Sequence, residues 1–293
     1  MNIISLLKFI TSHPLNQDDK IKSVVRFCKW QINTRINPYP IVYPYTERAK
    51  LVIQKGMTGA TGNIYCGLHE YIDMAFLLHF LRPGDLFLDI GANVGSYTVL
   101  ASIHVGAKTF SFEPVPSTFL HLQRNVSVNQ IADKVKTFNV ALGSQKGTIA
   151  FTSAFDTVNH VANKSETDTI DVPVETVDNI LQNQATPLLL KIDVEGFETE
   201  VIRGSANTLL QNDLKAIIIE LNGSGARYNY DEREIHQTLL SFGFRPFDYN
   251  PKKRTLQLID KFGTHNTIYI RDKDFVQERV ISASKIRILN QEI

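Results

Sequence analysis

Cysteine is scarce in this chain. Two residues in 293, Cys28 and Cys66, cannot build a disulfide scaffold and offer no metal-ligand spacing. They read as small buried hydrophobes in a reducing compartment. An excess of charge is missing too: 31 Lys and Arg against 30 Asp and Glu leave a net +1. A strong grip on nucleic acid needs clustered basic residues, so no nucleic-acid partner is expected. No apolar run reaches transmembrane length. Met1–Ile10 is apolar but short, is interrupted by Lys8, and lacks a basic start and a small-residue cleavage site. It is not read as a signal peptide, and a cytoplasmic protein is expected. Internal repeats and low-complexity tracts are absent as well. What is present is a hydrophobic fraction of 43%, which suits one sizeable domain with extensions.

The most informative stretch is Leu86–Thr98, LFLDIGANVGSYT. An apolar run ends in Asp89, a glycine turn follows, and a helix-like segment begins. Such a loop brings bare backbone N–H groups and a helix N-terminus up to a ligand. A carboxylate at the end of a buried strand is costly unless it has a partner. A dinucleotide fingerprint reads G-x-G-x-x-G. Here Asn93 stands between Gly91 and Gly95, so the middle glycine is missing. D-x-G-x-x-x-G resembles instead the first motif of class I S-adenosylmethionine (SAM) methyltransferases. The next strand ends in Glu113, which could accept both ribose hydroxyls, a use that suits NAD as well as SAM.

Residues 1–55 read as an extension and 56–293 as the main domain. In the extension Ile21, Val24, Val25, Cys28 and Ile32 fall at helical spacing, with Lys20, Lys22, Arg26 and Lys29 beside them. Two readings are open: a helix packed on its own domain or on a sister subunit in a homo-oligomer, or a basic amphipathic helix in peripheral contact with a membrane. Short strands are expected at 41–43 and 51–53. In the main domain a helix over 71–81 leads into alternating strands and helices: 86–90, 96–105, 108–112, 116–128 and 135–141. Residues 148–152 and 169–174 read as an antiparallel excursion. Helix 175–182, strand 187–193, helix 197–210, strand 215–221 and helix 231–242 follow, the last opened by Asp231 and Glu234 as a capping box. The end is strand-rich. The expected fold is α/β: a mostly parallel, Rossmann-like sheet of class I methyltransferase type, with helices on both faces and an antiparallel C-terminal region.

Further along, Leu188–Gly204 reads LLLKIDVEGFETEVIRG. With LDIGANVGSYT, SFEPVPSTF and IIIELNGSG it resembles the FkbM-type methyltransferases, and the likeness covers most of the chain. The resemblance implies a SAM-dependent O-methyltransferase acting on a sugar hydroxyl of a glycan, glycolipid or secondary metabolite. Two competing readings are a SAM-binding or membrane-docking protein without turnover and an NAD-dependent sugar-modifying enzyme. A nucleotide-base N-methyltransferase would need an Asn/Asp-Pro-Pro-aromatic loop where this chain has Asp193-Val194-Glu195-Gly196.

Ligands in open parallel sheets bind beyond the carboxyl ends of the strands, which gathers Asp89, Glu113, Ala141, Asp193 and Glu220 at one rim. Asp89, Gly91, Asn93 and Gly95 would face the methionine end of the cofactor, Glu113 the ribose, and Ala141 the adenine. Lys191 and Asp193 stand two apart on one strand, so they share a face. They either flank the acceptor hydroxyl, with Glu195 and Glu220 nearby, or form a partly buried salt bridge. Glu198 and Glu200 read as a solvated helix face. An aliphatic hydroxyl is about as weakly acidic as water, with a pKa of about 15.7, so a base is wanted. His160, in the loop Thr157–His160, is the expected base, with Asp193 as its rival; Asn159-His160 also recurs in the family resembled. His69 and Glu70 would line the entrance. Asp193 and Glu220 could supply part of an octahedral shell, but no third ligand pair stands where one is wanted, so no metal is expected.

Overall fold

The computed structural model describes residues 3–152, 159–163 and 166–293. Helices α1 (Ile3–Ser12) and α2 (Lys20–Ile36) precede an antiparallel hairpin, β1 (Ile41–Pro44) and β2 (Lys50–Ile53). Next come α3 (Thr58–Cys66), α4 (Tyr71–Phe80), β3 (Leu86–Ile90), α5 (Ser96–Leu100), β4 (Lys108–Phe112), α6 (Pro116–Val128) and β5 (Val135–Phe138). An excursion follows: β6 (Ala141–Leu142), β7 (Gly147–Thr152) and β8 (Thr169–Glu175), closed by α7 (Val177–Ile180). The chain then runs through β9 (Leu189–Ile192), α8 (Glu198–Arg203), α9 (Ala206–Leu210), β10 (Ala216–Glu220), α10 (Glu232–Ser241), β11 (Arg245–Asn250), β12 (Thr255–Leu258), β13 (Asn266–Ile270) and α11 (Lys273–Ser282).

The main sheet has the order β12-β11-β13-β10-β9-β3-β4-β5. Its five strands from β5 to β10 are parallel, and β13, β11 and β12 join antiparallel. The central strands are apolar on both faces, as a sheet covered on both sides requires. Phe87, Leu189 and Ile218 enter one cluster; Leu88, Ile90, Leu190, Ile192, Ile217 and Ile219 enter the other. The order reverses direction at β3, which has β4 on one side and β9 on the other. A crevice opens beyond the strand ends at such a point.

Several boundaries differ from the sequence reading. The third parallel strand stops at Phe138, because Asn139 Nδ2 turns to donate to the carbonyls of Glu113 and Pro114 at 2.8 and 2.9 Å. Ala141 therefore begins β6, in a separate three-stranded sheet where β6 is parallel to β8 and β7 antiparallel to it. The helix expected over 197–210 breaks at Gly204. A Cβ there would stand 2.0 Å from the carbonyl oxygen of Gly143, so the chain passes too close for any side chain. Asp231 caps α10 through the N–H of Arg233. The sequence reading assigned no element to α11, whose cap is Asp272 accepting from the N–H of Phe275.

Residues 1–55 depart most from the expectation. Helix α2 forms, but it buries Ser23, Phe27 and Trp30 instead of the aliphatic stripe. Phe27 meets the Tyr65 ring at 5.3 Å, and Arg26 donates to the Tyr65 carbonyl at 3.0 Å. Large aromatic rings remove more apolar area from water than isoleucine or valine, and they decide which face turns inward. Ile10, Phe27, Trp30, Leu51 and Ile53 share one cluster with Phe87 and Leu189 of the sheet. The β1–β2 hairpin is tied to α6 by Asn125 Oδ1, which accepts from the N–H of Val52 at 2.6 Å.

Candidate active site

The loop after β3 is organised by two carboxylates. Asp89 is 1% exposed. Its Oδ2 accepts from the N–H and the hydroxyl of Thr98 at 3.0 and 2.6 Å, while its Oδ1 is buried with no donor. Glu113 follows β4 and clamps the loop from the other side. Its Oε2 accepts from the N–H of Asn93 at 3.0 Å and its Oε1 from that of Val115 at 2.9 Å. Burial pushes the Glu113 carboxyl up to about 7, against those two N–H groups. Gly91 and Asn93 both take positive φ, 79° and 50°. At Gly91 the need for glycine is steric: a Cβ would lie 1.8 Å from the carbonyl oxygen of Asp193. Gly95 opens α5 at φ 87°, and a Cβ there would strike Leu122 Cδ1 at 2.5 Å.

The loop after β9 is built by the stretch Lys191–Glu198. Lys191 donates to Asp193 Oδ2 at 2.7 Å, and its ammonium stands 4.8 Å from the centre of the Tyr97 ring. Burial opposes the charge on Lys191, but Asp193, Glu70 and Asp89 outweigh it and hold the ammonium above its usual range. Glu195 adopts φ 56°, a conformation a non-glycine residue keeps only when its surroundings impose it. Those surroundings are visible. Gly196 lies so close to Ser224 that a Cβ would come within 2.6 Å of its carbonyl oxygen. The Glu195 carbonyl accepts from Arg227 at 3.1 Å. Glu198, expected on a solvated face, is instead 1% exposed and accepts from the N–H groups of Val194 and Gly196 at 3.0 and 3.2 Å. Glu200 is also engaged, with Ser144, Arg203 and, at 2.9 Å, the Tyr230 hydroxyl.

Between the two loops lies a cavity of about 910 Å³. Of the residues singled out in the sequence, Asp89, Gly91, Asn93, Glu113, Ala141, Lys191, Asp193, Glu195 and Glu220 line it, as do His69 and Glu70. Gly95 is not among the lining residues; its missing side chain makes room for Leu122. His160 is not among them either. Asn159 and Val161 face the cavity, and in an extended segment the residue between them points the other way. Its Nε2 stands 3.0 Å from Glu166 Oε1. Thr157 and Val158 of the same loop lie outside the described residues. The sequence reading missed Asp73, Tyr97 and Asn266. Asn266 Nδ2 donates to Glu70 and Asp73 at 2.8 and 3.2 Å, and burial raises Asp73 to about 7. Asn266 sits opposite Glu220 in the β10–β13 register, which no local pattern announces.

Asp193, Glu195 and Glu220 each offer a carboxylate oxygen within 4.8 Å of the others. Glu195 is thus a third carboxylate beside the two considered in the sequence, and a divalent cation could be held here. Mutual repulsion has a cost. Burial, Asp193 and Glu198 push Glu195 up to about 7; burial, Asp193 and Glu195 push Glu220 up to about 9. Glu220 Oε2 is buried without a partner.

The strand order, with acidic residues tipping β3, β4, β9 and β10 around one cavity, defines a class I methyltransferase fold. Residues 89–246, more than half of the chain, match the model of the methyltransferase FkbM domain, and the chain belongs to that family. Hexuronic acid methyltransferase AglP of Haloferax volcanii is 28% identical over 148 residues, 50% of this chain and 59% of that protein. The 31-O-demethyl-FK506 methyltransferase FkbM of Streptomyces tacrolimicus is 37% identical over 68 residues, 22% of this chain and 26% of that one. The chain therefore spans less than two thirds of either relative. A solved FkbM methyltransferase from Methylobacillus flagellatus is 16% identical, with a TM-score of 0.44 over 72% of this chain and 52% of that one.

Proposed function

We propose that this chain is a SAM-dependent O-methyltransferase, working in the cytosol on a hydroxyl of a sugar or related small molecule. The observation that supports this most is the meeting of two unlike loops over one cavity, the glycine turn after β3 and the loop after β9 crowded with ionisable groups. The name of the Haloferax relative supports a sugar acceptor. Residues 1–55 are proposed as an extension to the catalytic domain 56–293.

The residues fit SAM. Asp89 Oδ1 is a buried acceptor lacking a donor, and Glu113, which lines the cavity, accepts one N–H on each oxygen and has capacity for more. Asp89, Gly91, Asn93 and Gly95 would shape the methionine end, Glu113 would take the ribose hydroxyls, and Ala141 would border the adenine. When bound, SAM supplies a methyl group on a positively charged sulfur. The chain must align the acceptor and remove its proton. His160, engaged with Glu166, is assigned a bracing role in the loop. Glu195 is the better base: it lines the cavity, and burial with Asp193 and Glu198 raises its carboxyl to about 7. Glu220, whose buried Oε2 has no partner, faces the same corner of the cavity and would contact the acceptor. Lys191 and Asp193, locked as a pair, orient it.

Calorimetry with SAM and with NAD, followed by methyl transfer to a panel of sugars and glycans, tests the reading. SAM should bind and NAD should not. NAD binding without SAM binding would overturn it, and SAM binding without transfer to any hydroxyl would favour a binding protein. Glu113→Gln should weaken SAM by about 1.5–3 kcal/mol, the worth of hydrogen bonds to a charged group, in a domain that still folds. Unchanged affinity would mean that Glu113 only braces the loop. Activity is expected to survive EDTA, with Lys191 serving as the fixed cation beside the carboxylates. Loss on chelation and recovery with Mg²⁺ would recast Asp193, Glu195 and Glu220 as ligands.

A further inference from the structure

Helix α2 has two apolar stripes and uses one. Phe27 and Trp30 point into the core at 5% and 6% exposure. Ile21, Val25, Ile32 and Ile36 are 79%, 44%, 59% and 78% exposed, and Cys28 is exposed among them. At 3.6 residues per turn these five fall within about 80° of arc, opposite Phe27 and Trp30. Lys22 and Lys29 border one edge of the stripe and Arg35 the other. On helix α1, Ile3 and Ile4 are also exposed, 62% and 75%, with Lys8 one turn on. Residues 1–36 carry six Lys and Arg against two Asp, a net +4 in a chain whose total is +1. The rest of the molecule is therefore negative. The same two helices wall the cavity through Leu6, Phe9, Trp30, Gln31, Thr34 and Arg35.

We propose that this face docks on a membrane surface rich in anionic lipid. Single exposed aliphatic residues are ordinary, but a continuous stripe of them rimmed by basic side chains is the pattern of a helix lying in a lipid interface. Charge selects the occupant. A second copy of the chain, meeting the stripe through its own, would bring Lys22, Lys29 and Arg35 against their duplicates. Anionic headgroups complement Lys29 and Arg35, and compete with Asp19, 2.6 Å away, for Lys22. Among the described residues no helix is long and apolar enough to cross a membrane. The docking does not depend on the chemistry of the cavity.

The full chain should sediment with vesicles of phosphatidylcholine mixed with phosphatidylglycerol and not with phosphatidylcholine alone, and added salt should weaken binding. Lys22→Gln with Lys29→Gln should lower partition about thirty-fold, about fivefold per charge. Ile21→Ser with Ile32→Ser and Ile36→Ser should abolish it. All five positions are exposed, so circular dichroism and SAM affinity should stay at wild-type values. The proposal is overturned by no binding to the mixed vesicles, by equal binding to both kinds, or by binding that the two variants leave unchanged. A wild-type dimer in light scattering that the serine variant splits would assign the stripe to a second copy and overturn it too.

Discussion

Glu195→Gln is expected to lower kcat by about 10²–10⁴-fold, the usual cost of removing a general base. The amide keeps the shape and the backbone contacts of Glu195, including its carbonyl bond from Arg227, but cannot accept a proton. SAM affinity should change little, because the cofactor-side groups Asp89 and Glu113 are untouched. The pH profile gives a second readout. Burial and the neighbouring Asp193 and Glu198 raise the Glu195 carboxyl to about 7. A base works only when deprotonated, so kcat/KM in the wild type should climb as pH rises through about 7 and level off above it. Measured for the acceptor at saturating SAM, so that cofactor binding by Glu113 does not enter, that limb should vanish in Glu195→Gln. His160→Ala serves as the comparison. Full loss of turnover in His160→Ala, with Glu195→Gln near wild type, would return the base to the histidine.

Gly91→Ala is expected to abolish SAM binding and to destabilise the domain. One added methyl group would sit 1.8 Å from the Asp193 carbonyl oxygen, an approach no real Cβ makes. The obstacle is backbone, so no side chain can swing aside. The positive φ of 79° adds strain of roughly 1–3 kcal/mol for a residue with a Cβ. Relief requires the two loops to part, which separates the Asp89–Asn93 turn from the Lys191–Asp193 pair. Gly147→Ala is the control, since nothing lies within 4 Å of a Cβ there. Denaturant melts and calorimetry should show loss of both stability and SAM affinity for the first variant and neither for the second. A Gly91→Ala protein with wild-type affinity and midpoint would show that the loops do not need this contact.

The two glycines of the loop show what local reading can and cannot reach. Their spacing identified a turn that brings backbone toward a ligand. Yet the side chain missing at Gly91 makes room for Asp193, about a hundred positions away, and the one missing at Gly95 makes room for Leu122. The same holds for Glu198. Its place on a helix start beside Glu200 suggested solvent, whereas its carboxylate braces the Val194–Gly196 turn. In each case the deciding partner comes from the way loops and helices close on one another. His160 was singled out by its place in the loop between two strands, by its residue type and by the family resembled, and the direction of its ring is set by the pairing of an extended segment with β7, through Phe151 and Val161.

The sequence by itself determined the alternation of strands and helices, the acid at the end of each central strand, and the family. These rest on apolar periodicity, on glycine and proline punctuation, and on short motifs, all of which act within a few residues. It also showed that α2 carries an aliphatic stripe. Tertiary structure decided which stripe of that helix is buried, because Phe27 and Trp30 compete for the core and win by area. It likewise decided that Asp193, Glu195 and Glu220 share one corner of the cavity, and that Asn266 reaches Glu70 and Asp73. Those meetings depend on sheet order and register, which bring together residues that no local pattern links.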